Sequence, residues 1–153
     1  DRDVPATTKK VTEKGHEYKY WGNNVYSLIL PKPEHVSFNN ISIEHMYLDH
    51  ELKTMDENGR RIFTSDEFDV VTYKHRTEPC YFKGTQSQLQ PNFGEGSRII
   101  SDKVFNEENF SLALSKNNFA NNIYHKKGNF QSFNIDSFEK LYSSLSCLTK
   151  FEI

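Results

Sequence analysis

The apolar residues of this chain arrive in short runs, and a turn signal ends each of them. His16 to Trp21 meets Gly22-Asn23-Asn24, Val25 to Leu30 meets Pro31-Lys32-Pro33, and Phe68 to His75 stops ahead of Glu78-Pro79. Runs of this length between Gly, Pro and Asn clusters read as strands. The 12 Phe and 8 Tyr carry much of the available burial and suit a pleated surface. Further strands are expected at Val36 to Phe38, Ile41 to Leu48, Cys80 to Phe82, Arg98 to Ile100, Phe110 to Leu114, Ile123 to His125 and Phe130 to Ile135.

Two local patterns sharpen this reading. Asn58-Gly59 supplies the positive φ angles of a two-residue type I′ turn, which sets Glu57 opposite Arg60, Asp56 opposite Arg61, Met55 opposite Ile62 and Thr54 opposite Phe63. In Phe68 to His75, alternation places Phe68 and Val70 on one face, and Asp69, Val71, Tyr73 and His75 on the other. One helix is expected, near the end. Asp136 offers a cap, Glu139 returns to it, and Phe138, Leu141, Tyr142, Leu145 and Leu148 recur at helical spacing. Many short strands, one late helix and no βαβ alternation predict an all-β domain, a two-sheet β-sandwich with a short C-terminal helix. Residues 1–12 read as a linker or N-terminal arm and 13–153 as the domain. The polar run Gly84 to Gly96, with Leu89 and Phe93 as its apolar side chains, is the long loop.

The stretch Glu44-His45-Met46-Tyr47-Leu48-Asp49-His50-Glu51 raises the question of a metal site. On a strand, His45, Tyr47 and Asp49 share one face while Glu44, Met46, Leu48 and His50 take the other, so the histidines point apart. On a helix they stand five apart, where zinc-binding pairs stand four apart. No metal, cofactor or catalytic arrangement is therefore expected. A net charge of −2 with few basic pairs argues against nucleic acid, and no apolar run approaches the length that spans a bilayer.

Cys80 and Cys147 have no metal-ligand spacing. With sequons at Asn40-Ile41-Ser42 and Asn109-Phe110-Ser111, the even cysteine count points to secretion, N-glycosylation and a Cys80–Cys147 bridge. The alternative is two free thiols in a cytosolic protein. Charge is the stronger signal. Between Glu44 and Asp69, eight acids face Lys53, Arg60 and Arg61, a local charge of about −5. With Asp56 and Glu57 paired across the hairpin, the less compensated acids are Glu44, Asp49, Glu51, Asp66, Glu67 and Asp69, beside Tyr47 and Tyr73. Such a surface suits a small basic protein, through steering and aromatic anchoring.

The run from His35 to Gly84, HVSFNNISIEHMYLDHELKTMDENGRRIFTSDEFDVVTYKHRTEPCYFKG, resembles the SECRET domain, the carboxy-terminal extension of poxvirus-encoded tumour necrosis factor receptor homologues. The Tyr-Leu-Asp-His run and the Cys80 segment carry most of the likeness. It implies a sandwich like those of poxviral chemokine-binding proteins, secreted, placed after cysteine-rich receptor repeats, and binding host chemokines through acids on one sheet face. The expected interface is Glu67, Asp69, Asp66, Tyr73, Asp49, Glu51 and Tyr47, extended by Asp1 and Asp3; the choice of acids follows charge and alternation. Two other classes compete with this non-enzymatic decoy. One is a secreted adhesion or recognition module for another protein or a glycan, and the other a metal-dependent hydrolase.

Overall fold

A computed structural model of the chain describes Val11, residues 18–91 and residues 94–149. It divides into two compact units, one built from the chain up to Met46 and from Ile135 onward, the other from Tyr47–Asn134.

The first unit holds a hairpin of β1 (Tyr18–Gly22) and β2 (Val25–Leu28). Asn23 and Asn24 have φ of 50° and 59°, the pair of positive angles that a two-residue type I′ turn requires. Tyr20 stands opposite Tyr26, with ring centroids 4.9 Å apart, and Trp21 donates its indole N–H to Ser27 Oγ at 2.8 Å on the other face. The late helix forms as the spacing predicts. A 3-10 turn over Asp136–Phe138 leads into the helix Glu139–Thr149. Phe138 and Leu148 are buried, whereas Tyr142 and Leu145 on the same stripe are exposed.

The second unit is built from very short antiparallel pairs: β3 (Phe63–Thr64) with β5 (Ile99–Ile100), and β4 (Cys80–Phe82) with β6 (Val104–Asn106). Single bridges extend them. Lys74 pairs Tyr81, Tyr81 pairs Phe105 and Phe105 pairs Ser111, so one row crosses four segments. Arg61 then bridges Ala113 in parallel, its N–H donating to Leu112 O at 3.0 Å. Ile62 and Phe63 are successive residues and so face opposite ways, each into a different core. Phe63 packs with Phe68, Phe82, Leu89, Ile100 and Val104, and Ile62 packs with Leu52, Leu114, Phe119 and Phe130. The second core is an aromatic stack in which Phe130 and Phe133 lie 5.5 Å apart and nearly parallel, with Tyr47 edge-on to Phe119 and Phe133.

Several expected strands take another form. Ile41 to Leu48 is not a strand: Ile43–Met46 makes a 3-10 turn and Asp49–Leu52 a single turn of α-helix. Ile123 to His125 is the end of the helix Lys116–Tyr124, capped by Ser115 Oγ accepting from Asn118 N at 3.1 Å. Val36 to Phe38 and Phe130 to Ile135 carry no ladder. The polar loop after Gly84 contains a helical turn over Gln86–Leu89 whose Leu89 is buried in the Phe63 core; Phe93 lies outside the described residues.

The Asn58-Gly59 hairpin also differs. Asp56 N donates to Arg60 O at 2.8 Å, so the loop holds three residues, and only Gly59 among them has positive φ. Asp56 thereby pairs Arg60, at 3.1 Å, and Arg61 is released to the interior. Phe68 to His75 folds back on itself: Asp69 N donates to Lys74 O and Tyr73 N to Asp69 O, with Tyr73 at φ 62°. The predicted face of Asp69, Val71, Tyr73 and His75 is thus a tight turn. Among the described residues the pairs are small antiparallel sheets with helices beside them, and no closed sandwich is formed.

Candidate protein-binding surface

The most acidic part of the chain is organised around Arg61, whose side chain is 4% exposed. A guanidinium so placed needs its donors filled, because an unpaired buried charge is strongly destabilising. Glu67 Oε1 lies 2.8 Å from Arg61 Nη2 and Glu78 Oε1 lies 2.9 Å from it, while Nη1 donates to Ile62 O at 3.0 Å. The guanidinium also stacks 3.8 Å above the Phe63 ring. Glu67 works further: its Oε2 accepts the Thr64 backbone N–H at 2.6 Å and its Oε1 faces His75 Nε2 at 3.2 Å. Burial opposes its charged form, but the bonds from Arg61, Thr64 and His75 prevail and hold its carboxyl below the usual glutamate range. Glu67 is therefore a structural anion and not an outward-facing one.

The other expected site residues scatter in role. Glu51 is buried, accepting from Leu48 N at 2.9 Å and from Asn134 N at 2.5 Å. Tyr47 belongs to the aromatic core and Tyr73 packs against the Phe63 core. Asp49 is exposed and pairs with Lys53 at 2.8 Å. Asp1 and Asp3 lie outside the described residues. Of the histidines in question, His45 is buried, its Nδ1 accepting from Ser42 N at 3.0 Å, and His50 is exposed. No group of three or more His, Cys, Asp or Glu able to hold a metal occurs among the described residues. Cys80 is buried in its unit and Cys147 is exposed in the other, each as a free thiol. Asn109 is exposed at a turn, with its Oδ1 on Lys83 Nζ, and Asn40 is half-buried.

Asp66 and Asp69 are the expected acids that stay at the surface of this turn region. Burial works against Asp66, but Ser97 Oγ and the Thr64 hydroxyl bond it and keep its carboxyl below the usual range. Asp69 is half-buried as a residue; its Oδ1 accepts from Thr72 N at 2.7 Å, Val71 N at 3.0 Å and Thr72 Oγ1 at 3.0 Å, which lowers its pKa. Between the Asp69 cap and Tyr73 the chain presents Val71 with 75% of its surface open to solvent. Asp69, held in the charged form beside the projecting Val71, makes a small knob, and Arg76, whose Nε donates to Asp66 O at 2.9 Å and whose charge also reaches Asp69, offsets part of the negative charge of the two acids. Arg61, Glu78 and His75 were missed by sequence reasoning, since pairing Arg61 with Asp56 across a two-residue turn hid its burial. The signal for the knob was Asp69-x-x-Thr72, an Asx-turn spacing.

The chain matches no protein-family model, no curated protein and no solved structure.

Proposed function

We propose that this chain is a non-enzymatic binding domain, secreted and placed after tumour necrosis factor receptor-like repeats, that captures basic host chemokines and hides the surface they present to receptors or glycosaminoglycans. On this reading the short antiparallel pairs are parts of a two-sheet sandwich of the poxviral chemokine-binding type. The resemblance of His35 to Gly84 supplies the partner. The observation that carries the surface is the knob of Asp66, Val71 and Asp69: charge to attract a basic partner and an apolar tip to seat against it. Glu67 and Glu51, expected at the interface, act here from inside the fold.

Val71→Lys tests this without touching the turn's hydrogen bonds. Surface plasmon resonance against a panel of basic chemokines is expected to show binding that weakens with salt and falls about tenfold in the variant, a difference of 1.4 kcal/mol. Binding to none of the panel overturns the chemokine reading, and unchanged binding in Val71→Lys overturns the knob.

A further inference from the structure

A cleft of about 250 Å³ opens in the Tyr47–Asn134 unit, between the Asp56 to Arg60 loop and the helix Lys116–Tyr124. Three features of its lining bear on what it can hold. Asn118 and Asn122 stand four apart and so share one face of the helix, and Asn58 comes from the loop. The side-chain amides of all three make no hydrogen bond among the described residues, so each keeps both a donor and an acceptor for a ligand. Other lining groups are fixed: Asn129 Nδ2 donates to Met55 O at 3.3 Å, and Arg60 Nε donates to Asp56 Oδ2 at 3.2 Å. Preset polar groups cost less to order on binding.

The charges in the lining cancel, since Asp56 and Glu57 are matched by Arg60 and Lys127. A phosphate or sulfate would gain from two cations only to meet two carboxylates. An apolar ligand would strip water from the amides without replacing it. What suits paired donor–acceptor amides around a neutral, shallow cleft is a ligand whose every polar group both donates and accepts, namely a polyol. The volume is below the roughly 300 Å³ at which drug-sized pockets begin, which limits the ligand to about one ring.

We infer that this cleft is a binding site for a neutral hexopyranose, free or at the end of a glycan, with Asn118 and Asn122 as its principal hydrogen-bonding residues. It is separate from the Asp66, Val71 and Asp69 knob and shares no residue with it. The inference therefore stands or falls independently of the chemokine reading.

The test is a titration of the isotope-labelled chain with methyl α-mannoside, methyl β-galactoside, N-acetylglucosamine and, as an anion control, sulfate, followed by NMR. At least one sugar is expected to give saturable shifts of the Asn118 and Asn122 side-chain amides. The double variant Asn118→Ala, Asn122→Ala weakens that binding at least about tenfold. Alanine is the better helix former at both positions, exposed at Asn118 and half-buried at Asn122, so the variant folds, and an unchanged backbone spectrum verifies it. A glycan array probed with both proteins separates a terminal glycan sugar from a free one. Saturable shifts with sulfate alone, shifts that persist in the double variant, or no binding in either format overturns the site.

Discussion

Gly59 and Asn109 occupy the same place in two turns of one geometry. In the first, Asp56 N donates to Arg60 O, Gly59 N to Asp56 O, and Arg60 N to Asp56 Oδ1; in the second, Asn106 N donates to Phe110 O, Asn109 N to Asn106 O, and Phe110 N to Asn106 Oδ1. The fourth residue is left-handed in both, with φ of 70° and 68°. Such a loop needs an Asp or Asn to accept at its start and a residue tolerant of positive φ near its end.

Because a Cβ added at Gly59 meets nothing within 4 Å, any loss there is conformational. Gly59→Ala is expected to lower stability by about 1 kcal/mol, Gly59→Asn by a few tenths, and Asn109→Gly to raise it slightly. Urea midpoints of the three variants check the order. Equal losses for Ala and Asn at position 59 would contradict the shared turn.

Glu67 makes the fold sensitive to acid. Its carboxyl is held below the unfolded value of about 4.3, so its contribution is fully present above that pH and is lost as pH falls through the folded value. Asp66 acts in the same direction. Glu67→Gln leaves Arg61 without one of its two carboxylates and is expected to cost about 3 kcal/mol at pH 7. The gap between variant and parent should narrow as pH falls below 4.3. A gap that stays constant to the lowest measurable pH would mean that Glu67 carries no special charge in the folded state.

The two thiols, one in each unit, differ in accessibility. Burial, reinforced by the negative charge of Glu78, pushes the Cys80 thiol up to about 11, so little thiolate is available at neutral pH. Cys147 is exposed. Iodoacetamide on the native chain at pH 8 should therefore modify Cys147 and spare Cys80, and urea should release the second thiol. Mass spectrometry without reductant distinguishes this from a bridged chain, which would take no label in either condition.

What the sequence disclosed followed from how local each interaction is. The β1–β2 hairpin and the helix Glu139–Thr149 are legible because their turn residues and their 3.6-residue spacing lie within the segment itself. The helix Lys116–Tyr124 was hidden by its four asparagines, poor helix formers; only the Ser115 cap and the Phe119 and Ile123 spacing announced it. Counting charge located the acidic region but could not sort it. Asp69 and Glu67 differ by two positions, yet one caps an exposed turn and the other neutralises an arginine, because Arg61 arrives from a different segment. The strand pattern over Phe68 to His75 failed for a related reason. Alternation is satisfied as well by a fold-back in which Phe68 and His75 bridge each other.

His75 joins the Arg61 cluster to the Phe63 core, and its two roles can be separated. Its Nδ1 accepts from Glu78 N at 2.8 Å and from Thr77 N at 3.1 Å, so the ring proton sits on Nε2, where it meets Glu67. The same ring packs edge-on against Phe68, with centroids 5.3 Å apart, and against Phe63 at 6.0 Å. His75→Phe retains the ring but leaves the Thr77 and Glu78 N–H groups without their acceptor and takes one of two donors from Glu67 Oε1, which keeps Arg61, an expected loss of about 2 kcal/mol. His75→Ala removes the packing as well and should lose about 1 kcal/mol more. If the two variants are equally destabilised, the aromatic contacts contribute nothing, and if Phe is neutral, the turn from His75 to Cys80 is held by its backbone alone. Nitrogen-15 shifts of the His75 ring at neutral pH provide a direct check, with protonated Nε2 and bare Nδ1 as the expected pattern.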